Sequence, residues 1–271
     1  MTSAPLLFDR TSLTTHRSRV TEDGLFLHRW ALDDVQDRLL MVNRSFTSPA
    51  IVTPFPQVWA AEFPDAQIVP DDDTLNLTPG THDMVIHAMC LHWANDPVGQ
   101  IIQCRRALKE DGFLLILMLG GQTLQELRTV LGQAESDVTG GLSPRIVPMG
   151  EIRDLGALLQ RAGLALPVAD SVTLTAEYRD LVHLIHDLRA MGETNALQNR
   201  LRRPTGRAVF DRADALYREH FGKNGKLPCT FEIVCLTGWS PSESQPKALR
   251  PGSAKTRLAE ALGTSETKLS D

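Results

Sequence analysis

The chain has 271 residues, 42% of them apolar, and a formal net charge of −5 at pH 7. That apolar content is enough for one sizeable hydrophobic core, or for one core with an appended lobe. The acidic balance argues against nucleic acid as a partner, because phosphate backbones are bound by an excess of positive charge. No apolar run reaches the roughly 18 residues that a membrane-spanning helix needs.

The cysteine and histidine patterns predict neither a redox site nor a metal site. None of the four cysteines stands in a CxxC motif, so we expect small buried hydrophobic residues in a reducing compartment. Three histidines, His82, His87 and His92, recur every five residues. That spacing brings them together on neither one strand face nor one helix face, and no bound metal is expected.

Residues 6–46 are predicted to be helical, because apolar residues recur along them at nearly helical spacing. Near the start lies a basic cluster of Arg10, His16, Arg17 and Arg19. The cluster is either a solvated helix face or a surface that contacts a substrate. The first residues, MTSAPLLFDR, lack a basic segment followed by an apolar run, so no secretory signal is predicted. We expect a bacterial cytoplasmic protein.

The first strand is predicted at residues 49–53, PAIVT, followed directly by Pro54-Phe55-Pro56. Before the next long apolar run there is room for one helix, at residues 56–63, and one strand, at residues 66–69. The loop after that strand is acidic, with the sequence Asp71-Asp72-Asp73.

Residues 82–119 predict a strand, a helix and a second strand. The apolar run at residues 84–89 is typical of a buried parallel strand. Asp96 is placed to cap a helix that starts at Pro97, and Gly112 is expected to end that helix. The run FLLILML at residues 113–119 predicts the second strand. A unit of this length folds as a right-handed βαβ, with both strands central and adjacent in the sheet.

In the second half of the chain, predicted helices alternate with two further predicted strands. Helices are predicted after Gly120, before Gly163, and within residues 178–191 and 207–221. Strands are predicted at residues 172–175 and 229–236, the second antiparallel to the rest. From residue 241 the chain is polar and proline-rich. There we expect a short helix at residues 255–262 and disorder at residues 264–271.

Two stretches of the first half resemble the fourth and fifth strands of class I S-adenosylmethionine (SAM) methyltransferases. They are Asp83 with the following Leu91-His92-Trp93, and the sequence from Arg105 to Gly112. Segments at residues 141–145, 153–163, 187–196 and 230–239 resemble one branch of that superfamily. The branch contains the malonyl-carrier-protein methyltransferase of biotin synthesis and, closer to this sequence, respiratory complex I assembly factor 5 and its bacterial relatives. The resemblance covers residues 6–262, with a gap near residues 53–70.

This resemblance implies a Rossmann-like α/β sheet with an N-terminal helical lid and a helical insertion before the last strand. The expected regions are a lid at residues 1–48, an α/β domain at residues 49–240 with a helical lobe near 178–222, and a polar tail at residues 241–271. It implies SAM as the cofactor and a protein partner, with a respiratory complex I subunit as the candidate. The mitochondrial member of the branch is linked to arginine hydroxylation on such a subunit.

The resemblance also supplies candidate site residues. The candidate cofactor contacts are Thr53, Asp71, His87 and Met89, and the candidate lid or substrate contacts are Arg10, Arg17 and Arg145. Asp71 corresponds to an acid that approaches the adenine, and its alternative interpretation is a solvated acidic turn. Arg145 is alternatively a surface arginine of a loop. No residue is assigned a catalytic role.

The sequence departs from the family where the cofactor would be held. A SAM-binding first strand runs into a glycine-rich turn that lets the backbone approach the cofactor. Here no glycine occurs at residues 44–79, two prolines remove backbone donors, and Phe55 and Trp59 add bulk. The usual strand–helix units before the fourth strand need about 60 residues. This chain has 32, residues 50–81, so one unit is expected to be missing.

Two functions follow from these observations. The first is a non-catalytic or weakly active assembly factor that binds a protein partner and has a degenerate SAM site. The alternative is an active SAM-dependent methyltransferase that acts on a protein or on an acyl-carrier substrate. The turn at residues 53–60 favours the first function, because binding of SAM needs the cradle that these residues replace.

Overall fold

The computed structural model describes residues 6–147, 149–246 and 263. Within them, the helices are α1 (Arg10–Arg17), α2 (Phe26–Val42), α3 (Pro56–Trp59), α4 (Pro97–Ala107), α5 (Gln125–Thr139), α6 (Ile152–Arg161), α7 (Leu181–Ala190) and α8 (Arg207–Phe221). The strands are β1 (Pro49–Val52), β2 (Gln67–Val69), β3 (His82–Ala88), β4 (Leu108–Leu119), β5 (Ala165–Tyr178) and β6 (Leu227–Trp239). Two short 3₁₀ turns, Asp23–Leu25 and Leu91–Trp93, complete the elements.

The chain divides into two compact units, Met1–Pro241 and Ser242–Asp271. The first contains all of the helices and strands named above. Within the second, the backbone N–H of Gln245 donates to the carbonyl of Ser242 at 3.3 Å and closes a turn. The helix predicted at residues 255–262 and the disorder predicted at residues 264–271 lie outside the described residues.

The six strands form one sheet in the order β2-β1-β3-β4-β6-β5. The first four pair in parallel, and β6 pairs antiparallel with both β4 and β5. The Rossmann-like sheet and its antiparallel last strand are therefore confirmed, with β3 and β4 adjacent at the centre. The helical insertion before the last strand is also confirmed, because α7 and α8 both lie between β5 and β6 in the sequence.

The βαβ unit forms as predicted, except at the end of its helix. Asp96 caps α4, since its Oδ1 accepts a hydrogen bond from the backbone N–H of Gly99 at 2.8 Å. The prediction that Gly112 ends α4 was wrong. The helix ends at Ala107, and β4 begins at once with Leu108. Asp111 has a φ of 56° inside β4, so the predicted helix end is an irregular stretch of the strand.

The sheet is shortened because only two short elements lie between β1 and β3 in the described chain. Only α3, with four residues, and β2, with three residues, occupy that interval in the described chain. The sheet consequently ends at β2 on this side, and the prediction of one missing strand–helix unit is confirmed. A short connection cannot hold a second crossover, because a βαβ unit needs about 30 residues.

Helices cover both faces of the sheet, and β4 shows why. Alternate side chains of a strand point to opposite faces. Phe113, Leu115, Leu117 and Leu119 accordingly join the apolar core that includes residues of α2, α5, α7 and α8. The intervening Leu114, Ile116 and Met118 join the core on the other face, with α4 and α6. A strand that is buried on both faces explains the continuous apolar run in the sequence.

Candidate functional site

The N-terminal segment lies across the carboxyl end of the parallel strands. The backbone N–H groups of Leu7 and Phe8 both donate to Oδ1 of Asn95 at 2.9 Å. The Phe8 ring contacts the Trp93 ring edge-on, with centroids 5.1 Å apart. These contacts hold the start of α1 against the loop that follows β3. In open α/β sheets ligands bind at this end of the strands, so α1 covers the expected site.

Helix α1 is tied to the acidic loop after β2. Nη1 of Arg17 donates to both carboxylate oxygens of Asp71, at 2.8 and 2.9 Å. Arg10 donates from Nη1 to the same carboxylate at 3.3 Å and from Nη2 to the Asp71 carbonyl at 2.7 Å. Asp71 is only 4% exposed. Asp71 and Arg17 are therefore buried and paired, whereas the side chain of Arg10 is 24% exposed. Their roles toward a cofactor or a substrate stay predictions.

The geometry of α1 is fixed at its first residue. Asp9 caps the helix by accepting from the Ser12 backbone N–H at 3.1 Å. Arg200, from the segment between α7 and α8, donates to Asp9 Oδ2 at 2.9 Å. The Ser12 hydrogen bonds, with help from Arg200, lower the pKa of Asp9 to about 2. This negative charge at a helix N-terminus is also favoured by the helix dipole.

The turn after β1 carries a buried aromatic side chain, and it borders a pocket of about 580 Å³ that Arg17 and Asp71 also line. Phe55 is 4% exposed, and its ring meets the ring of His28 edge-on at a centroid distance of 4.8 Å. The backbone N–H of Phe55 donates to Oγ1 of Thr53 at 3.2 Å, and Thr53 itself is buried. Burial lowers the pKa of His28 to about 4, so its imidazole is neutral at pH 7. Phe55 of this turn thus packs against His28 of α2.

The end of β3 carries a buried polar chain. His87 Nε2 lies 2.8 Å from Oε1 of Gln100, whose amide nitrogen donates to the carbonyl of Asp72 at 3.1 Å. Burial lowers the pKa of His87 to about 4. Met89, which follows the strand, has a φ of 54°, a left-handed conformation that non-glycine residues rarely adopt. The predicted cofactor contacts Thr53, His87 and Met89 thus lie at the ends of β1 and β3.

Arg145 lies apart from Arg10 and Arg17 and has its own partner. Its Nε and Nη2 donate to the two carboxylate oxygens of Glu135 at 2.9 and 2.7 Å, and its Nη1 donates to Thr205 Oγ1 at 2.8 Å. All three guanidinium nitrogens are therefore used inside the protein. The arginine anchors the loop after α5 to that helix and to the segment before α8.

Sequence reasoning missed a carboxylate beside this region. Glu193 follows α7, and its Oε2 accepts from the indole N–H of Trp93 at 2.7 Å. The same oxygen lies 3.3 Å from Nε2 of His92. Glu193 is far from both aromatic residues in sequence, so no local spacing joins them. The signal present in the sequence is the stretch at residues 187–196, which contains Glu193 and carries the family resemblance but no spacing that predicts this chemistry.

Glu193 lines a cavity of about 170 Å³ next to the end of β4. The walls are mostly aliphatic and aromatic side chains from β4, α5, α7, α8 and β6, and they include Leu119, Leu127, Leu188, Phe210 and Phe231. Among the described residues that line the cavity, the charged ones are Arg145 and Glu193. The cavity is therefore an apolar pocket with one carboxylate and one arginine, which is a common form of ligand site.

The comparisons with known proteins come from sequence and from structure. A family model described as a methyltransferase domain matches residues 50–116. The arginine-hydroxylase NDUFAF5, mitochondrial, of Dictyostelium discoideum is 40% identical over 185 residues, which is 68% of this chain and 42% of that protein. A malonyl-[acyl-carrier protein] O-methyltransferase of Laribacter hongkongensis is 33% identical over 187 residues, which is 69% of this chain and 61% of that protein. The chain is therefore similar to members of the methyltransferase family.

These similarities confirm the resemblance drawn from the sequence, including its two branches. Among solved structures, the YcgJ protein of Bacillus subtilis is similar with a TM-score of 0.46 and 12% identity, over 76% of this chain and 99% of that one. The chain spans 42% to 61% of the length of the two curated family members named above.

The described residues offer candidates for neither a metal site nor a membrane span. Within residues 6–147, 149–246 and 263, no group of three or more His, Cys, Asp or Glu side chains is arranged to hold a metal ion. No helix in the same ranges has both the length and the apolar character needed to cross a membrane. The four cysteines are buried and free of disulfide bonds.

Proposed function

We propose that this protein is an assembly factor that binds a protein partner and has a degenerate SAM site, so that it is non-catalytic or only weakly active. The observation that carries the proposal is the packing of Phe55, in the turn after β1, against His28 of α2, with ring centroids 4.8 Å apart. In this proposal residues 1–48 form a lid over the α/β domain at residues 49–240, and residues 241–271 form a tail.

The residues present do not fit the cofactor at the turn after β1. A cofactor cradle of the family type needs backbone N–H groups that a ligand can approach closely, and glycine provides that approach. Pro54 and Pro56 have no backbone N–H, and Phe55 is buried where the approach would occur. The Phe55 ring also packs against His28 of α2.

The acidic loop gives a second argument for a degenerate site. The Asp71 carboxylate accepts hydrogen bonds from Arg10 and Arg17 at distances of 2.8 to 3.3 Å. A nucleoside that approached Asp71 would compete with these guanidinium groups for the lone pairs of the carboxylate. That competition would weaken its binding.

The missing strand–helix unit gives a third argument for a degenerate site. By the family resemblance, the deleted unit carries the acid that pairs with the cofactor ribose. In the described chain, β2 is the outermost strand on that side of the sheet. A hydrogen bond left unmade by a buried polar group costs on the order of 1–3 kcal/mol. Loss of the pair of ribose contacts therefore adds to the two effects above.

The proposed partner is a protein, with a respiratory complex I subunit as the candidate. This part of the proposal rests on family resemblance to complex I assembly factor 5 and on the similarity to the relative named arginine-hydroxylase NDUFAF5, mitochondrial. This chain spans 42% of that relative. We therefore include the relative's kind of partner in the proposal, but not its activity. Affinity capture from the native cells, followed by mass spectrometry, would test the partner.

The test of the degenerate site is calorimetry with SAM. We expect no saturable heat at one-to-one stoichiometry up to about 1 mM SAM, which corresponds to a binding free energy weaker than about 4 kcal/mol. A SAM-binding methyltransferase measured in the same buffer is the positive control. A low-micromolar dissociation constant for the wild-type chain would refute the degenerate site.

An active methyltransferase is the second candidate function, favoured by the 33% identity to a malonyl-[acyl-carrier protein] O-methyltransferase. Methyl transfer demands mainly that donor and acceptor be positioned, so the absence of an assigned base does not argue against it. Transfer of a labelled methyl group from SAM to malonyl-carrier protein, or to a captured protein partner, would establish this function instead.

A further inference from the structure

We infer that a groove between the ends of α1 and α7 binds a phosphate monoester, with Arg19 and Arg189 as its counter-ions. The groove has a volume of about 620 Å³. Among the described lining residues, it shares only Thr21 with the pocket beside the turn after β1, which Asp71 lines. The inference therefore goes beyond the proposed function, and it depends neither on SAM nor on a protein partner.

The described lining of this groove is basic and contains no carboxylate. Its charged or titratable members are Arg19, Arg189, His16 and His186. Burial lowers the pKa of His16, so the permanent positive charges are the two guanidinium groups. The groove is thus locally positive in a chain whose formal net charge is −5. Like charges that share a concave surface raise the local potential and concentrate anions there.

The two guanidinium groups are not compensated by the protein. In the part of the chain that the structure describes, the side chains of Arg19 and Arg189 are exposed and make no hydrogen bond and no ion pair. Two acids, Glu22 and Asp187, lie within three residues of one arginine or the other. Glu22 pairs with an arginine of α2 at 2.8 Å, and Asp187 accepts from a tyrosine hydroxyl at 2.6 Å. Both arginines are therefore available to an external anion.

A close contact between the ends of two helices brings the two arginines to one groove. The backbone N–H of Thr21 donates to the carbonyl of Ala190 at 3.1 Å, which joins the segment after α1 to the last residue of α7. Gly192, with a φ of 76°, permits this approach, since a Cβ there would lie 2.8 Å from Cγ2 of Val20. Backbone contacts thus fix the two walls of the groove relative to each other.

Stabilisation of the helix ends does not account for this arrangement. A basic residue in the last turn of a helix interacts favourably with the helix dipole. Arg189 lies in the last turn of α7 and fits that role. In α1, however, His16 and Arg17 already occupy the last turn. Arg19 lies beyond the C-cap Ser18, so its charge serves the groove and not the end of the helix.

The donors of the lining favour a phosphate monoester over a carboxylate. A guanidinium group presents paired N–H donors that match carboxylate and phosphate oxygens. Two such groups, with the hydroxyls of Thr21 and Thr194, exceed the roughly four acceptor sites of a carboxylate. A phosphate monoester offers three terminal oxygens and close to two negative charges at neutral pH. Ile185 and Ala190 give an apolar wall for the organic part of the ester.

Titration with two probes of the same shape would test the inference. Phenyl phosphate is a dianion at about pH 8, whereas phenyl sulfate is a monoanion. Binding is measured by protein-observed NMR of the full chain. We expect phenyl phosphate to bind at least about tenfold more tightly, with shifts at the backbone amides of Thr21, Arg189 and Thr194. Equal affinities would overturn the inference, and so would shifts confined to Thr14 and Asp72, which line the pocket beside the turn after β1.

Variants locate the effect. Arg19→Gln and Arg189→Gln should each weaken phenyl phosphate at least about tenfold, because each removes one charge while leaving an exposed side chain of similar length. Arg207→Gln is the matched control, since Arg207 is a 94% exposed arginine of α8 whose nearest carboxylate, Asp211, lies at 3.9 Å. The control should bind as the wild type does. Unchanged affinity in both groove variants would overturn the inference even if phenyl phosphate binds to the wild type.

A further titration separates two sources of the phosphate. The probe is a tripeptide of alanine, phosphoserine and alanine with blocked ends, which carries the same phosphate on a peptide backbone. Tighter binding of the tripeptide than of phenyl phosphate assigns the ester to a phosphorylated protein, and weaker binding assigns it to a small molecule. Binding of neither probe would overturn the inference.

The outcome is separable from that of the proposed function. The probes contain neither SAM nor a protein partner, so their binding does not depend on the SAM site. Tight SAM binding together with a preference for phenyl phosphate would refute the degenerate site and leave the phosphate groove standing. No preference together with absent SAM binding would refute the phosphate groove alone.

Discussion

Arg17 donates from a single nitrogen to both carboxylate oxygens of Asp71, at 2.8 and 2.9 Å, across 54 positions of sequence. The pair joins the first helix to the loop after the outermost parallel strand. Its side chains are only 10% and 5% exposed. Two further nitrogens of Arg17 are buried without a hydrogen-bond partner among the described residues, so the pair with Asp71 is the main compensation for burying this charge.

Replacing Asp71 should destabilise the fold strongly. Asp71→Ala leaves two guanidinium groups, those of Arg10 and Arg17, without their carboxylate in a partly dry site. We expect a loss of about 3–5 kcal/mol in the free energy of unfolding, measured by urea titration. Glu22→Ala is the control, because its pair with Arg29 is exposed and should contribute less than about 1 kcal/mol. A loss no larger than that of the control would contradict a structural role for the pair.

Phe55 should act as a packing residue. Phe55→Ala removes a buried ring that contacts His28, and such truncations cost about 3–5 kcal/mol. Phe63→Ala, at a partly exposed position, should cost less. We also expect Phe55→Ala to gain no affinity for SAM by calorimetry, since Pro54, Pro56 and the pairing of Asp71 are unchanged. Micromolar binding of SAM by this variant would identify the ring as the sole obstacle.

The imidazoles of His28 and His87 should stay neutral well below the usual range. Burial lowers the pKa of each from 6.5 to about 4. Each histidine therefore contributes stability that is fully present above pH 6.5 and is lost as the pH falls through about 4. NMR titration of the ring nitrogens should show no protonation of either ring at pH 5.5. A midpoint near 6.5 for either ring would mean that water reaches it.

The loop after α5 should loosen in acid. The Arg145 guanidinium lowers the pKa of Glu135 from 4.5 to about 2. The ionised carboxylate therefore stabilises the folded state above pH 4.5, and this contribution falls as the pH drops from 4.5 towards 2. Glu135→Gln should be less stable than the wild type at pH 7, with a difference in urea midpoint that shrinks below pH 4.5. A difference independent of pH would exclude the ionised pair as its source.

The sequence determined the sheet and its shortening. The apolar runs at residues 84–89 and 113–119 specified two buried neighbouring strands, because only a strand covered on both faces is apolar without interruption. The 32 residues from 50 to 81 limited the chain to one crossover before β3. The boundary between α4 and β4 was not predictable in the same way. The Lys-Glu-Asp-Gly sequence is typical of a helix end, and only strand pairing shows that it begins β4.

The sites depended on contacts that no spacing encodes. Asp71 and Arg17, and likewise Glu193 and Trp93, are distant in sequence and meet because α1 and α7 pack at the carboxyl end of the sheet. The sequence supplied these residue types. Through the family resemblance it also indicated four candidate cofactor contacts, Thr53, Asp71, His87 and Met89. Whether a charged side chain is solvated or buried with a partner is decided by the surface that tertiary packing removes from water. That surface is a property of the whole fold, which is why the sequence alone left open whether these residues are solvated or contact a ligand, and did not predict that they pair with each other.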